Sequence, residues 1–133
     1  MQNWMDLKLF INQGGTEEIE MHISSFLAAQ SIVLDEIDLI ITGKNGDAKS
    51  DEIFDQLQHS IFSKNYLVNY KNLCGEYPTA TAFALWLAAN IIKSETMPTV
   101  LEYTGPKEKP IKRILIYNHY QGIHHSLLLI SAC

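Results

Sequence analysis

At 133 residues, with 47% hydrophobic and 19% charged side chains, the chain suits one domain with a real core and is too short for two comfortable ones. A net charge of −5 without any basic run excludes the footprint of a nucleic-acid or anionic-membrane binder. Two cysteines, Cys74 and Cys133, suit a reducing compartment, and nothing supports a disulfide between them. The N-terminal MQNWMDLKLF lacks a basic segment followed by an apolar stretch, so no signal peptide is expected and the cytoplasm is the expected location.

The first element is a short strand over residues 7–11 (LKLFI), closed by the turn Asn12-Gln13-Gly14-Gly15. Thr16 is a good helix N-cap. Glu17 and Glu18 follow in the first turn, where carboxylates favour the helix dipole. Ile19, Ile23, Phe26 and Leu27 fall at helical spacing, which predicts a helix to about residue 30. After the polar corner Asp35-Glu36, residues 37–42 (IDLIIT) form a largely apolar run, the mark of a strand covered on both faces. Gly43-Lys44-Asn45-Gly46-Asp47 is a loop of turn formers. A helix over about 50–61 carries Ile53, Phe54 and Leu57 on one face, and residues 65–69 (NYLVN) are a short strand.

Residues 69–93 organise the chain. A polar turn ending in Gly75-Glu76 leads to Pro78, which a first helical turn tolerates because that N–H would be unpaired anyway. Residues 79–92 are then small or apolar on almost every side, including Phe83 and Trp86. Such a helix is buried or lies in a membrane. It is too short and too polar to span a bilayer, so a central helix covered on several sides is expected, with Phe83 and Trp86 in the core. Residues 97–99 (MPT) must be extended before and through the proline, and residues 105–110 are an exposed connection. Two apolar runs, 113–117 (RILIY) and 126–130 (SLLLI), predict an antiparallel hairpin with a wide turn of about six residues. Strands alternating with helices give an α/β fold of one domain over residues 1–133, with a mixed, mostly parallel sheet, helices packed on it and a C-terminal antiparallel pair.

From about residue 33 onward the chain resembles the C-terminal half of a β-ketoacyl-ACP synthase, a condensing enzyme of the thiolase fold. Leu34-Asp35-Glu36-Ile37-Asp38-Leu39-Ile40 resembles the family's xxEDIDYI strand entry. Residues 42–52 stand where the family has HGTxTxxxDxxE. Lys71-Asn72-Leu73-Cys74-Gly75-Glu76 stands where it has KSxxGH, followed by the same small-residue helix and the same extended Pro-Thr. Tyr117-Asn118-His119-Tyr120-Gln121-Gly122-Ile123-His124 stands where it has SNSFGFGG. The resemblance covers roughly three quarters of the chain and implies a thiolase-like half domain. It carries Lys71, Glu76 and Asn118 over as the positions matching catalytic motifs, and Gly43, Asn45, Gly75, Tyr120 and Gly122 as substrate-binding positions.

The departures bear on chemistry. In active members the two loops each supply a histidine that decarboxylates the malonyl unit and stabilises the enolate and oxyanion. The first loop here has none, and the second histidine is Glu76. An ionised carboxylate cannot donate a hydrogen bond to a developing oxyanion, so charge stabilisation is lost. The family's nucleophilic cysteine lies in the half that has no counterpart in this chain, and neither Cys74 nor Cys133 takes its place.

Several residues carry a plainer reading beside the chemical one. Lys71 either joins a charged network with Glu76 or Glu52, or snorkels to solvent at the helix entrance. Glu76 is a general base or a first-turn capping residue. Cys74 is a thiol activated by the helix start or a small buried side chain. His119, His124 and His125 cluster in one loop, yet adjacent histidines on a strand face opposite ways and no carboxylate or cysteine completes a ligand set, so no metal is expected. Residues 43–47 lack the Lys-Ser/Thr ending of a phosphate loop and read as a surface turn, so no cofactor is expected either.

The leading expectation is a non-catalytic ketosynthase-like unit of fatty-acid or polyketide assembly, either part of a longer synthase or a chain-length-factor-like subunit. Its partner would be the missing N-terminal half, a synthase subunit or a second copy, together with an acyl carrier protein. The alternatives are an active acyl-thioester transferase or hydrolase using Glu76 or Cys74, and a scaffold without an acyl ligand.

Overall fold

The computed structural model describes residues 3–11, 15–44, 48–69, 80–94, 102–104, 111–120 and 124–132. In chain order they form β1 (Asn3–Ile11), α1 (Thr16–Ala29), a 3-10 turn (Leu34–Glu36), β2 (Leu39–Thr42), α2 (Ala48–Gln58), β3 (Leu67–Asn69), α3 (Ala80–Ser94), β4 (Glu102–Thr104), β5 (Arg113–Tyr120) and β6 (His124–Ala132). The six strands make one sheet in the order β1-β6-β5-β2-β3-β4. α1 and α2 cover one face of it and α3 the other, as the two buried clusters show.

The sheet is mixed, but the expectation that it is mostly parallel is corrected. β2 runs parallel to both β3 and β5, whereas β1–β6, β5–β6 and β3–β4 are antiparallel. Parallel neighbours need a helical crossover between them, and here that condition holds only around β2. β1 instead extends the C-terminal hairpin from the outside, pairing along its whole length with β6. β4 is a three-residue strand that the sequence reading did not identify. The hairpin is also tighter than expected: β5 continues to Tyr120 and β6 resumes at His124. His119, His124 and His125 therefore lie on strands and not in a loop.

α1 buries Ile19, Ile23, Phe26 and Leu27, the stripe its spacing predicts. Its N-cap is Gly15, so Thr16 is the first helical residue, and the Thr16 hydroxyl bonds the Gln56 side chain of α2 instead. At the other end Ser31 has φ 58. The Ile32 N–H bonds the Leu27 carbonyl at 3.0 Å and the Ser31 N–H bonds Ala28 at 2.9 Å, a Schellman closure with serine at the position glycine usually holds. Ile32 is thereby turned back into the cluster that contains Leu27.

β2 is buried at all four positions, as its unbroken apolar run requires. Leu39 and Ile41 face α3, while Ile40 faces α1 and α2. Each such side chain contributes about 1.5–3 kcal/mol by leaving water. The register with β5 is pinned at its start by Asp38, whose Oδ2 accepts from the backbone N–H of Lys112 at 2.8 Å and of Arg113 at 3.1 Å. Asn65 donates to the carbonyls of Leu34 at 3.0 Å and Ile37 at 3.4 Å, fixing the entry to the same strand.

α3 occupies the predicted stretch from Ala80 onward, the expected start at Pro78 and Thr79 lying outside the described residues, but it is not buried all round. Ala84, Leu87, Ala88, Ile91 and Ile92 pack on the sheet. Trp86 is 60% exposed and Asn90 is exposed too. A helix lying on one face of a sheet buries one flank only, so within this chain the opposite flank meets water and Trp86 is not a core residue. Phe83 is partly buried against the cluster. No helix among the described residues is long and apolar enough to cross a membrane.

Candidate functional site

β3, β2 and β5 are neighbours and run the same way, so their C-terminal ends share one edge of the sheet. In open α/β sheets this edge is where ligands are received. Thr42 stands in register with Asn69 on one side and with Tyr117 on the other. The Thr42 hydroxyl donates to Asn69 Oδ1 at 2.7 Å, joining the ends of β2 and β3 through side chains.

Gly43 follows directly and is buried, so it is no surface turn. Lys44 is half-buried, and its Nζ meets Asp55 Oδ1 at 2.6 Å, which anchors the start of this loop to α2 and compensates the lysine charge locally. On β5, Asn118 Oδ1 accepts the backbone N–H of His119 at 2.9 Å.

Beneath this edge, on the α1–α2 face, lies a run of stacked rings. Strand alternation places Tyr117 and His119 on one side of β5, and His125 on the same side of β6. All three are buried. Phe54 of α2 stacks on His119, with centroids 4.7 Å apart, and meets Tyr117 edge-on at 5.5 Å. Phe10 of β1 lies between His22 of α1 at 4.2 Å and His125 at 4.9 Å. The Tyr117 hydroxyl is 2.8 Å from His125 Nδ1. Burial pushes the Tyr117 phenol well above its ordinary pKa, so it is held neutral; a neutral phenol donates to Nδ1 when the ring proton is on Nε2 and accepts from Nδ1–H in the other tautomer.

At the strand ends Thr42 and Asn69 therefore place a hydroxyl and an amide on the same face as the aromatic run, while Asn118, one residue on from Tyr117, faces the α3 side. Such groups orient a ligand by hydrogen bonds; proton transfer calls for a group poised near neutrality, which a phenol raised by burial is not.

Of the positions carried over from the resemblance, Gly43, directly after β2, and Asn118, on the neighbouring β5, lie at this edge. Tyr120 ends β5, farther along. Asn45, Lys71, Cys74, Gly75, Glu76 and Gly122 lie outside the described residues, as do residues 97–99 and the 105–110 connection. Of the three histidines, His119 and His125 are buried side by side with ring centroids 5.8 Å apart, while His124 is exposed on the other face. Among the described residues no group of three or more His, Cys, Asp or Glu side chains is placed to hold a metal ion. The reading of the sequence missed the Thr42–Asn69 link and the Tyr117–His125 pair. The second was signalled by the alternation of Tyr117 and His119 along one strand and of His125, Leu127 and Leu129 along the next. No family model, no curated protein and no solved structure matches the chain.

Proposed function

We propose that the chain is a ketosynthase-like C-terminal unit, a thiolase-like half domain, that serves acyl-chain condensation in fatty-acid or polyketide assembly without condensing chemistry of its own. It acts as part of a longer synthase or as a chain-length-factor-like subunit in a cytoplasmic assembly, positioning an acyl group carried by an acyl carrier protein. The observation that carries the reading is the common address of the motif-like segments. Residues 42–52 begin at the end of β2, Lys71 to Glu76 follow β3 in the chain, and residues 117–124 begin on β5. Because β3, β2 and β5 are parallel neighbours, the strands that carry or precede these three segments end at one sheet edge. The element order, with strand–helix alternation ending in an antiparallel pair, agrees with the same resemblance.

The chemistry at that edge supports a binding role. Thr42, Asn69 and Asn118 offer neutral polar atoms, and the family's two histidines have no counterpart in the motif-like segments. The exposed flank of α3 around Trp86 supports a further protein surface packing there. Co-purification tests the proposal: the tagged chain should retain an acyl carrier protein or a full-length condensing enzyme, and acyl-thioester turnover by the chain alone should stay at background. A chain that recovers neither protein, or that condenses acyl thioesters unaided, contradicts it.

A further inference from the structure

β1 is the outermost strand of the sheet, and its outer edge has no strand partner among the described residues. It pairs with β6 over all nine residues without a bulge and contains neither proline nor glycine. Natural edges are usually short, bulged or broken. The opposite edge of this sheet fits that habit, since β4 has three residues. β1 does not.

Its two faces differ in a telling way. On the α3 side, Leu7, Leu9 and Ile11 are 56%, 71% and 66% exposed, an apolar row at the rim of the sheet. On the α1 side stand Asp6, Lys8 and Phe10. Asp6 Oδ2 is buried and makes no hydrogen bond among the described residues, while the Lys8 ammonium lies 5.8 Å from the centre of the Phe10 ring of its own strand.

We infer that β1 pairs with β1 of a second copy, antiparallel about a two-fold axis through Leu7, to give one continuous sheet across a homodimer. Leu7 is the middle residue of the strand, so this register alone pairs all nine residues with all nine. It sets Asp6 of each copy opposite Lys8 of the other, twice over, with Cβ atoms about 5 Å apart. The exposed Leu7, Leu9 and Ile11 of the two copies form one apolar stripe on the α3 side. A symmetric contact of this kind closes on itself and does not propagate, and the three-residue β4 edge offers little to extend it.

The surface is distinct from the edge formed by β3, β2 and β5, and the inference stands whether or not that edge receives an acyl group. Sedimentation equilibrium at tens of micromolar should give twice the 15.1 kDa chain mass. Leu9→Lys should give the single mass with an unchanged circular dichroism spectrum, because Leu9 is solvent-exposed in the protomer. Lys8→Asp, which sets carboxylates against each other, should weaken the dimer roughly tenfold or more, and Asp6→Lys combined with Lys8→Asp should restore it.

Register is read separately. In a Cys74→Ser, Cys133→Ser background, Leu7→Cys lies on the axis and should form an intermolecular disulfide on mild oxidation. Leu9→Cys, about 13 Å from its own copy, should not. A monomeric wild type, a dimer indifferent to Leu9→Lys, open-ended aggregates, or equal cross-linking of the two cysteine variants would each overturn the inference.

Discussion

Phe54→Ala is expected to lower folding stability by about 3–5 kcal/mol, the range for removing a buried aromatic from a packed core. Phe54 is the side chain through which α2 grips the sheet. It lies in the buried cluster with Leu57, Tyr117 and Leu115, stacks on His119 and meets Tyr117 edge-on. Truncation removes one ring contact from each of His119 and Tyr117, which keep their contacts with His125, and opens a cavity between α2 and β5. The interior is too closely packed to collapse fully around it. Denaturant titration should show a lower midpoint with an unchanged slope, and the melting temperature should fall by roughly 10–20 °C. Trp86→Ala, the loss of a larger but exposed ring, should stay within about 0.5 kcal/mol of wild type in the isolated protomer. The reverse ranking would mean that α3, and not α2, is the helix covered by the fold.

Tyr117→Phe is expected to change the pH dependence of stability more than its value at neutrality. The phenol is fully buried and its pKa is raised by that burial. Below about pH 10, the ordinary value for tyrosine, folded and unfolded chains both keep the proton, and the stabilisation is fully present. Above it the unfolded chain releases the proton and the folded chain does not. The contribution of this residue therefore falls by about 1.4 kcal/mol per pH unit, until the folded phenol itself ionises. At neutral pH Tyr117→Phe should cost about 1–3 kcal/mol by leaving His125 Nδ1 without its partner. The gap between wild type and variant should then close steadily from pH 10 to 11.5. Urea titrations of both proteins across that range measure it, and the remaining tyrosines cancel in the difference. Parallel profiles would mean that Tyr117 meets water.

The elements legible in the sequence were those whose pattern reflects one physical demand. β2 is a short unbroken apolar run because helices cover both its faces. α1 shows its buried stripe because its other flank is solvated. Pairing was less legible, since it depends on neighbours that periodicity does not name: nothing in residues 3–11 announces that they lie antiparallel beside β6.

α3 misled for a related reason. Its small and apolar residues are explained on one flank by close packing of Ala84 and Ala88 on the sheet. On the other flank Trp86 is exposed, and composition alone did not separate the two. At the strand ends, Gly43 and Asn118 were found through motif position. Thr42, Asn69 and the Tyr117–His125 pair become visible only once β3, β2, β5 and β6 are set side by side.

Titration of the isotopically labelled chain with a medium-chain acyl-pantetheine thioester, followed by amide chemical shifts, tests the proposed role most directly. Shifts concentrated at Thr42, Gly43, Asn69 and Asn118, with the thioester intact at the end, are the expected result. Shifts absent from those amides at saturating thioester, or a thioester consumed by the chain alone, would contradict it.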